Sequence, residues 1–301
     1  MWIYYGLILI SVVMFGGGFA LQDLYREKRG SRLIISMEVA CIGSLAGLVV
    51  LLIINGFSFD FSAFTILMAA FAAINAIAFI FCTFKALEHI NLSLFSLYAM
   101  LGGMMLPFLQ GILFFNEGFT PAKGICVAFI CLALICTVER SENRKGAIFY
   151  AGIFVLNGMS GVISKLFTAA DFPKSDAAGY SIWVATMTAC FSGLVWIMLV
   201  ILEKHRSNYK ADLIPKEPLK IRLGAYGICA LCGTISQVAN FLLVIALAYV
   251  DASVQYPMIT GGTMIVSTIL SCFRGKIPKK REILSVGFAF VGMLLLFLLS
   301  A

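Results

Sequence analysis

The sequence predicts an all-α membrane protein: ten transmembrane helices arranged as two inverted five-helix repeats. Three observations predict it. The 301-residue chain is 61% hydrophobic and only 12% charged; its mean hydropathy is +1.00; and its apolar residues fall into ten runs divided by short polar connections. A soluble domain carries about a quarter charged residues, so a soluble fold is excluded. Peptide groups in lipid need partners within the protein, and runs of about 20 apolar residues without strand-like alternation meet that need as helices, not as a closed barrel.

The runs lie at about 3–21, 33–55, 63–84, 93–115, 121–138, 147–168, 179–202, 223–248, 252–273 and 283–300, each long enough to cross the hydrocarbon. The first lacks a basic n-region and a small-residue cleavage site, so it is read as a retained helix and not as a signal peptide. Turn and breaker residues separate the runs. Arg29-Gly30-Ser31-Arg32 follows the first, Asn55-Gly56 the second, and Asn91 precedes the fourth. Thr120-Pro121 opens the fifth, Arg140 to Gly146 divides the halves, and Pro173 to Asp176 follows the sixth. The polar, basic stretch Glu203 to Arg222 reads as a solvated loop, and Ile277-Pro278-Lys279 precedes the tenth run. The repeats would therefore occupy residues 1–140 and 146–301.

Connections alternate between the two sides of a membrane. With ten spans, the odd-numbered connections hold nineteen of the 22 lysines and arginines, and the even-numbered ones hold only Lys123, Lys165 and Lys174. The positive-inside rule then puts the odd connections in the cytoplasm and both termini outside, in a multi-pass plasma (inner) membrane protein. A net charge of +7 dispersed in this way reports topology and does not form a nucleic-acid surface. The nine cysteines fall within or at the ends of apolar runs, where cysteine acts as a small hydrophobe. Cys229 and Cys232 form a CxxC, but with only two histidines in the chain no zinc ligand set completes it, so no metal site and no cofactor are expected.

Internal similarity supports duplication. Ala86-Leu87, Ser93, Gly102-Gly103, Met105 and Phe114 are answered by Ala246-Leu247, Ser253, Gly261-Gly262, Met264 and Phe273, with one residue of slippage. Tyr4-x-Gly6 is answered by Tyr150-x-Gly152. Five helices per repeat reverse the second copy relative to the first, an arrangement characteristic of secondary transporters, whose halves rock about a site near the midplane.

The segment Ala86 to Ser93 leading into the fourth run, with Asn116-Glu117-Gly118-Phe119-Thr120 closing it, resembles the EamA family of the drug/metabolite transporter superfamily. Ala246-Leu247 and Ser253 are similar in the second half. The resemblance implies a ten-helix carrier of small metabolites or drugs, energised by a proton gradient or by exchange. It further implies that helices one, three, four, six, eight and nine line the route while five and ten close the outside. Two departures stand out: Asn116 replaces the glycine before the family's glutamate, and Lys276 stands at the glutamate position of the second repeat. The family places its termini inside, opposite to the charge distribution here.

Polar side chains at membrane depth are costly and need a cavity or partners. Asn75, Asn157, Gln237 and Asn240 lie near the middle of their runs. Gln237 and Asn240 share a helix face, as do Asn157, Ser160 and Ser164. Interhelical hydrogen bonding explains such residues singly, whereas the set points to one substrate cavity. Gln255, Tyr256 and Thr260 around Pro257, with Tyr98 in the matching part of the fourth run, join the candidate substrate contacts. Gly102, Gly103, Gly261 and Gly262 are candidate helix breaks near a pseudo-symmetric site, or else points of close helix contact. Glu38, with no basic neighbour three or four residues away, is a candidate proton-coupling carboxylate.

The expected partners are therefore a small solute, protons and the lipid bilayer, with the chain a monomer or homodimer. No Walker-type GxxxxGK[ST] occurs, and no catalytic residues are assigned. Two rival functions are a non-transporting sensor or assembly subunit, whose midplane amides would face other helices with no cavity, and a membrane-embedded enzyme. Glu88 and His89 are the one adjacent acid/base pair for the latter, and on a helix they would point about 100° apart.

Overall fold

A computed structural model describes residues 2–58, 60–89, 92–115, 120–137, 144–207, 219–275 and 280–300. The motif residues Ile90, Asn91, Asn116 to Phe119 and Lys276, and the side chains of Ser93, Ser253 and Pro257, lie outside the described set. The described residues form ten α-helices: α1 (Trp2–Arg29), α2 (Leu33–Ile54), α3 (Ala63–Ala86), α4 (Leu92–Phe114), α5 (Pro121–Thr137), α6 (Arg144–Ala169), α7 (Ala177–Ser207), α8 (Leu219–Leu247), α9 (Ala252–Phe273) and α10 (Lys280–Ser300). Among the described residues seven of them, α1, α2, α3, α6, α7, α8 and α9, are long and apolar enough to cross a membrane. The protein is a multi-pass helical membrane protein.

Helix ends follow local chemistry. α1 closes on Arg26, Lys28 and Arg29, whose charges suit the negative end of the helix dipole. Gly30 then turns the chain at φ +90°, a conformation with a steric penalty for any residue bearing a Cβ. The turn folds the end of α1 back beside the start of α2. Gly275 does the same after α9 at φ +74°.

Packing runs mostly between helices distant in sequence. α1 packs on α8 and α9, α6 on α3 and α4, α2 on α7 and α8, and α3 on α7; α4 also packs on α9, and α5 on α10. The two ends of the bundle are joined separately. At one end Ser31 bonds Glu88 (2.7 Å), Arg32 bonds Glu203, and Arg274 bonds Asp23 (2.8 Å) and Glu27 (2.5 Å), bringing the first, third, seventh and ninth connections together. At the other end Ser62 bonds the Pro173 carbonyl (2.6 Å), Ser175 bonds the Asp60 carbonyl (3.1 Å), and Tyr4 stacks on Tyr249. Among the described residues, the first, third, seventh and ninth connections therefore meet at one end of the bundle, the basic end, and the second, sixth and eighth lie at the other.

Candidate functional site

A cavity of about 190 Å³ occupies the bundle interior. That is more than ten times the ~10–15 Å³ that houses one water. Lining residues come from α1, α2, α3, α4, α6, α7, α8 and α9; none of the described side chains of α5 or α10 is among them. On α8 they run from Ser236 to Leu247, which at 1.5 Å per residue makes the cavity about 16 Å long.

Eight of the nine candidate substrate contacts line it: Asn75, Asn157, Ser160, Gln237, Asn240, Gln255, Tyr256 and Thr260. The packing fixes where each one sits. Asn75 of α3 donates to the Leu156 carbonyl of α6 (2.9 Å), and Asn157 of α6 donates to the Ala99 carbonyl of α4 (2.5 Å). Gln255 of α9 donates to the Leu243 carbonyl of α8 (3.0 Å), and the Tyr256 hydroxyl donates to the Gly161 carbonyl of α6 (3.0 Å). Asn240 donates to Ser236 one turn earlier on its own helix (2.9 Å). Amide N–H groups are therefore tied to main-chain carbonyls, and one hollow is enclosed among them. The interhelical-bonding and cavity explanations hold together.

Tyr98 is elsewhere. It stacks on Tyr150 of α6, ring centroids 5.5 Å apart, and does not line the cavity. The expectation of helix breaks is corrected as well: α4 runs unbroken through Gly102, Gly103 and Pro107, and α9 through Gly261 and Gly262. Three of these glycines admit close neighbours, among them Gly103, where a Cβ would lie 2.5 Å from Asn157 Nδ2. A Cβ on Gly102 would lie 1.8 Å from the Phe154 carbonyl oxygen, and one on Gly262 would lie 2.7 Å from Val12. Gly103 lines the cavity beside Asn157, and Gly261 is buried.

Glu38 does not reach the cavity. It is buried at the basic end, accepting a hydrogen bond from the Tyr25 hydroxyl (2.7 Å) and two from Arg29 (3.2 and 3.3 Å). Sequence spacing within one helix could not reveal Arg29, because the turn at Gly30 brings it from α1. Asp23, also buried, accepts from Arg26 (2.9 Å) and Arg274 (2.8 Å). Glu88 lies exposed beyond α3, where the Ser31 hydroxyl and then Lys85 hold its carboxyl below the usual range. The ammonium of Lys165 lies over the Phe115 ring.

Sequence reasoning missed Gln22, Ser44, Thr188 and Ser236 as lining residues. The first apolar run stops at residue 21, so Gln22 read as connection, yet α1 continues to Arg29 and holds it two turns inside. Ser44, Thr188 and Ser236 are single hydroxyls in apolar runs, indistinguishable by sequence from those that bond their own helix. Cys229 and Cys232 pack α8 against Val39 and Gly18 respectively, through S–H contacts to main-chain carbonyls at 3.5 Å.

No family model matches the chain, and no curated protein does. A solved structure described as "Crystal structure of protein" is similar over 98% of this chain and 97% of its own, with a TM-score of 0.62 and 15% identity. A likeness at that identity is one of fold.

Proposed function

We propose that this chain is a secondary transporter of small organic solutes, working by alternating access with ten spans in two inverted five-helix repeats, after the manner of EamA-like carriers. The observation that carries the reading is the central cavity, walled by eight helices and by polar side chains at membrane depth. Groups that are costly in lipid sit around one hollow, as they do where a solute must pause halfway.

The packing pattern supports the two-repeat reading. Exchanging each helix for the one five places away turns α4 on α6 into α9 on α1, α1 on α8 into α6 on α3, and α2 on α8 into α7 on α3. The pairs α2 with α7, α4 with α9 and α5 with α10 map onto themselves. A chain of ten unrelated helices has no reason to pack this way. The basic end, held by Arg274, Arg32 and their carboxylates, is assigned to the cytoplasm by its charge, which leaves both termini outside.

A solute screen in proteoliposomes, with and without an imposed pH gradient, tests the function. Flux of at least one solute is expected, weakened by Asn240→Ala. Gradient dependence would identify protons as the coupling ion; counterflow without it would identify exchange. A protein that catalyses neither is not a carrier.

A further inference from the structure

No aspartate, glutamate, lysine, arginine or histidine is among the described residues lining the cavity. A solute of net charge would lose its water there without meeting a counter-charge. What the wall offers in its place is a surplus of acceptors. Gln255 is 1% exposed, and its amide nitrogen is fixed on the Leu243 carbonyl; turning the amide over would set two carbonyl oxygens against each other. Its own oxygen is thereby the free end, buried and with no donor among the described residues. Gln22, 7% exposed, also lines the cavity, and its side-chain oxygen is likewise buried with no donor among the described residues.

These two acceptors belong to opposite ends of the hollow. Gln22 lies two turns from the end of α1, toward the basic end of the bundle, and Gln255 is in the first turn of α9, at the other end. Phe15 and Phe19 of α1 and Phe79 of α3 supply apolar wall. A buried carbonyl left without a donor is destabilising, and the adjoining hollow is where an occupant could supply one.

Resting on the transport reading for its function but not for its chemistry, we propose that the cavity takes an uncharged solute with O–H or N–H donors toward both ends and an apolar middle. The Gln22 and Gln255 carbonyls are its acceptors.

A matched series tests this in lipid nanodiscs. The probes are para-hydroxyphenyl butanamide, the corresponding butanoate, the corresponding butylamine, and the O-methyl, N,N-dimethyl form of the amide, which has no donors. Affinities are read from ligand-dependent thermal stabilisation. The amide is expected to bind about tenfold more tightly than each of the other three, the effect of one or two well-made hydrogen bonds. Gln22→Leu and Gln255→Leu should each weaken the amide about tenfold while leaving the donor-free form unchanged, a selectivity that general misfolding does not produce. Gln255→Glu should move the preference to the amine.

Equal binding of the acid, the amine or the donor-free form by the unaltered protein overturns the proposal. So does absence of amide binding, and so do leucine variants of undiminished affinity. The two readings fail separately. Amide binding without flux in proteoliposomes ends the transport reading and keeps the site, whereas flux confined to charged solutes keeps transport and ends the proposed chemistry.

Discussion

α2 and α8 cross at a pair of glycines, and the crossing is asymmetric. A Cβ built on Gly233 would lie 2.1 Å from the Gly43 Cα and 2.2 Å from its carbonyl carbon and oxygen. Built on Gly43, it would lie 3.0 Å from the Gly233 Cα and 3.3 Å from the Cys229 carbonyl oxygen. To accept Gly233→Ala the two backbones must part by about 1.3 Å, from 2.1 Å to the ~3.4 Å where ordinary contact begins. Backbone cannot swing aside as a flexible side chain does. Overpacking of this kind costs about 3 kcal/mol, of which the better helix propensity of alanine returns about 1, for a net loss of about 2 kcal/mol. Gly43→Ala needs a shift of only a few tenths of an ångström, and about 1 kcal/mol of strain offset by the same propensity gain leaves stability nearly unchanged. The assay is reversible unfolding in mixed micelles or thermal unfolding in nanodiscs. Solute flux accompanies it, since Ser44 and Gln237, one residue and one turn beyond the crossing, face the cavity. Equal stability of the two variants, or the reverse order, would refute the geometry of the crossing.

Other expected outcomes follow from the polar groups. Asp23→Ala removes the buried carboxylate that Arg26 and Arg274 share and should cost roughly 3–5 kcal/mol; unfolding in nanodiscs measures it, and a loss below about 1 kcal/mol contradicts the arrangement. Glu38→Gln should lower stability and leave the gradient dependence of flux intact, because the carboxylate serves Tyr25 and Arg29 away from the cavity; uncoupled flux in a stable protein would restore it as the coupling group. Asn157→Ala breaks the α6–α4 bond to the Ala99 carbonyl and should weaken solute binding about tenfold at a stability cost of roughly 1 kcal/mol, whereas Tyr98→Phe should leave binding unaltered. For orientation, single cysteines at Ser207 and Ser58 in a background without native cysteines should react with an impermeant maleimide from inside and outside respectively; external labelling at Ser207 would invert the topology.

Hydropathy alone located the helices, because a run such as Leu33 to Ile54 is apolar almost throughout, with Glu38 its one charged residue, and lipid permits little else. It misjudged helix lengths where an amphipathic end continues past the bilayer: α1 runs to Arg29 and α7 to Ser207, well beyond their apolar runs. The cavity residues were legible wherever an amide interrupts an apolar run, since Asn75, Asn157, Gln237 and Asn240 are costly enough to be noticed. Gln22 escaped because hydropathy assigned it to water. Pairings between helices were not legible at all. Arg29 with Glu38 and Tyr98 with Tyr150 depend on how helices meet, and a one-dimensional pattern does not carry that information.

The α5 and α10 pair stands apart from the hollow, giving it none of their described side chains and packing chiefly on each other. On the transport reading proposed above, selection for a particular cargo would have no direct purchase on the pair. These two segments are where related chains would diverge in bulk and lipid preference while keeping the same cargo, and where a fluorescent reporter or a crosslink would least disturb flux.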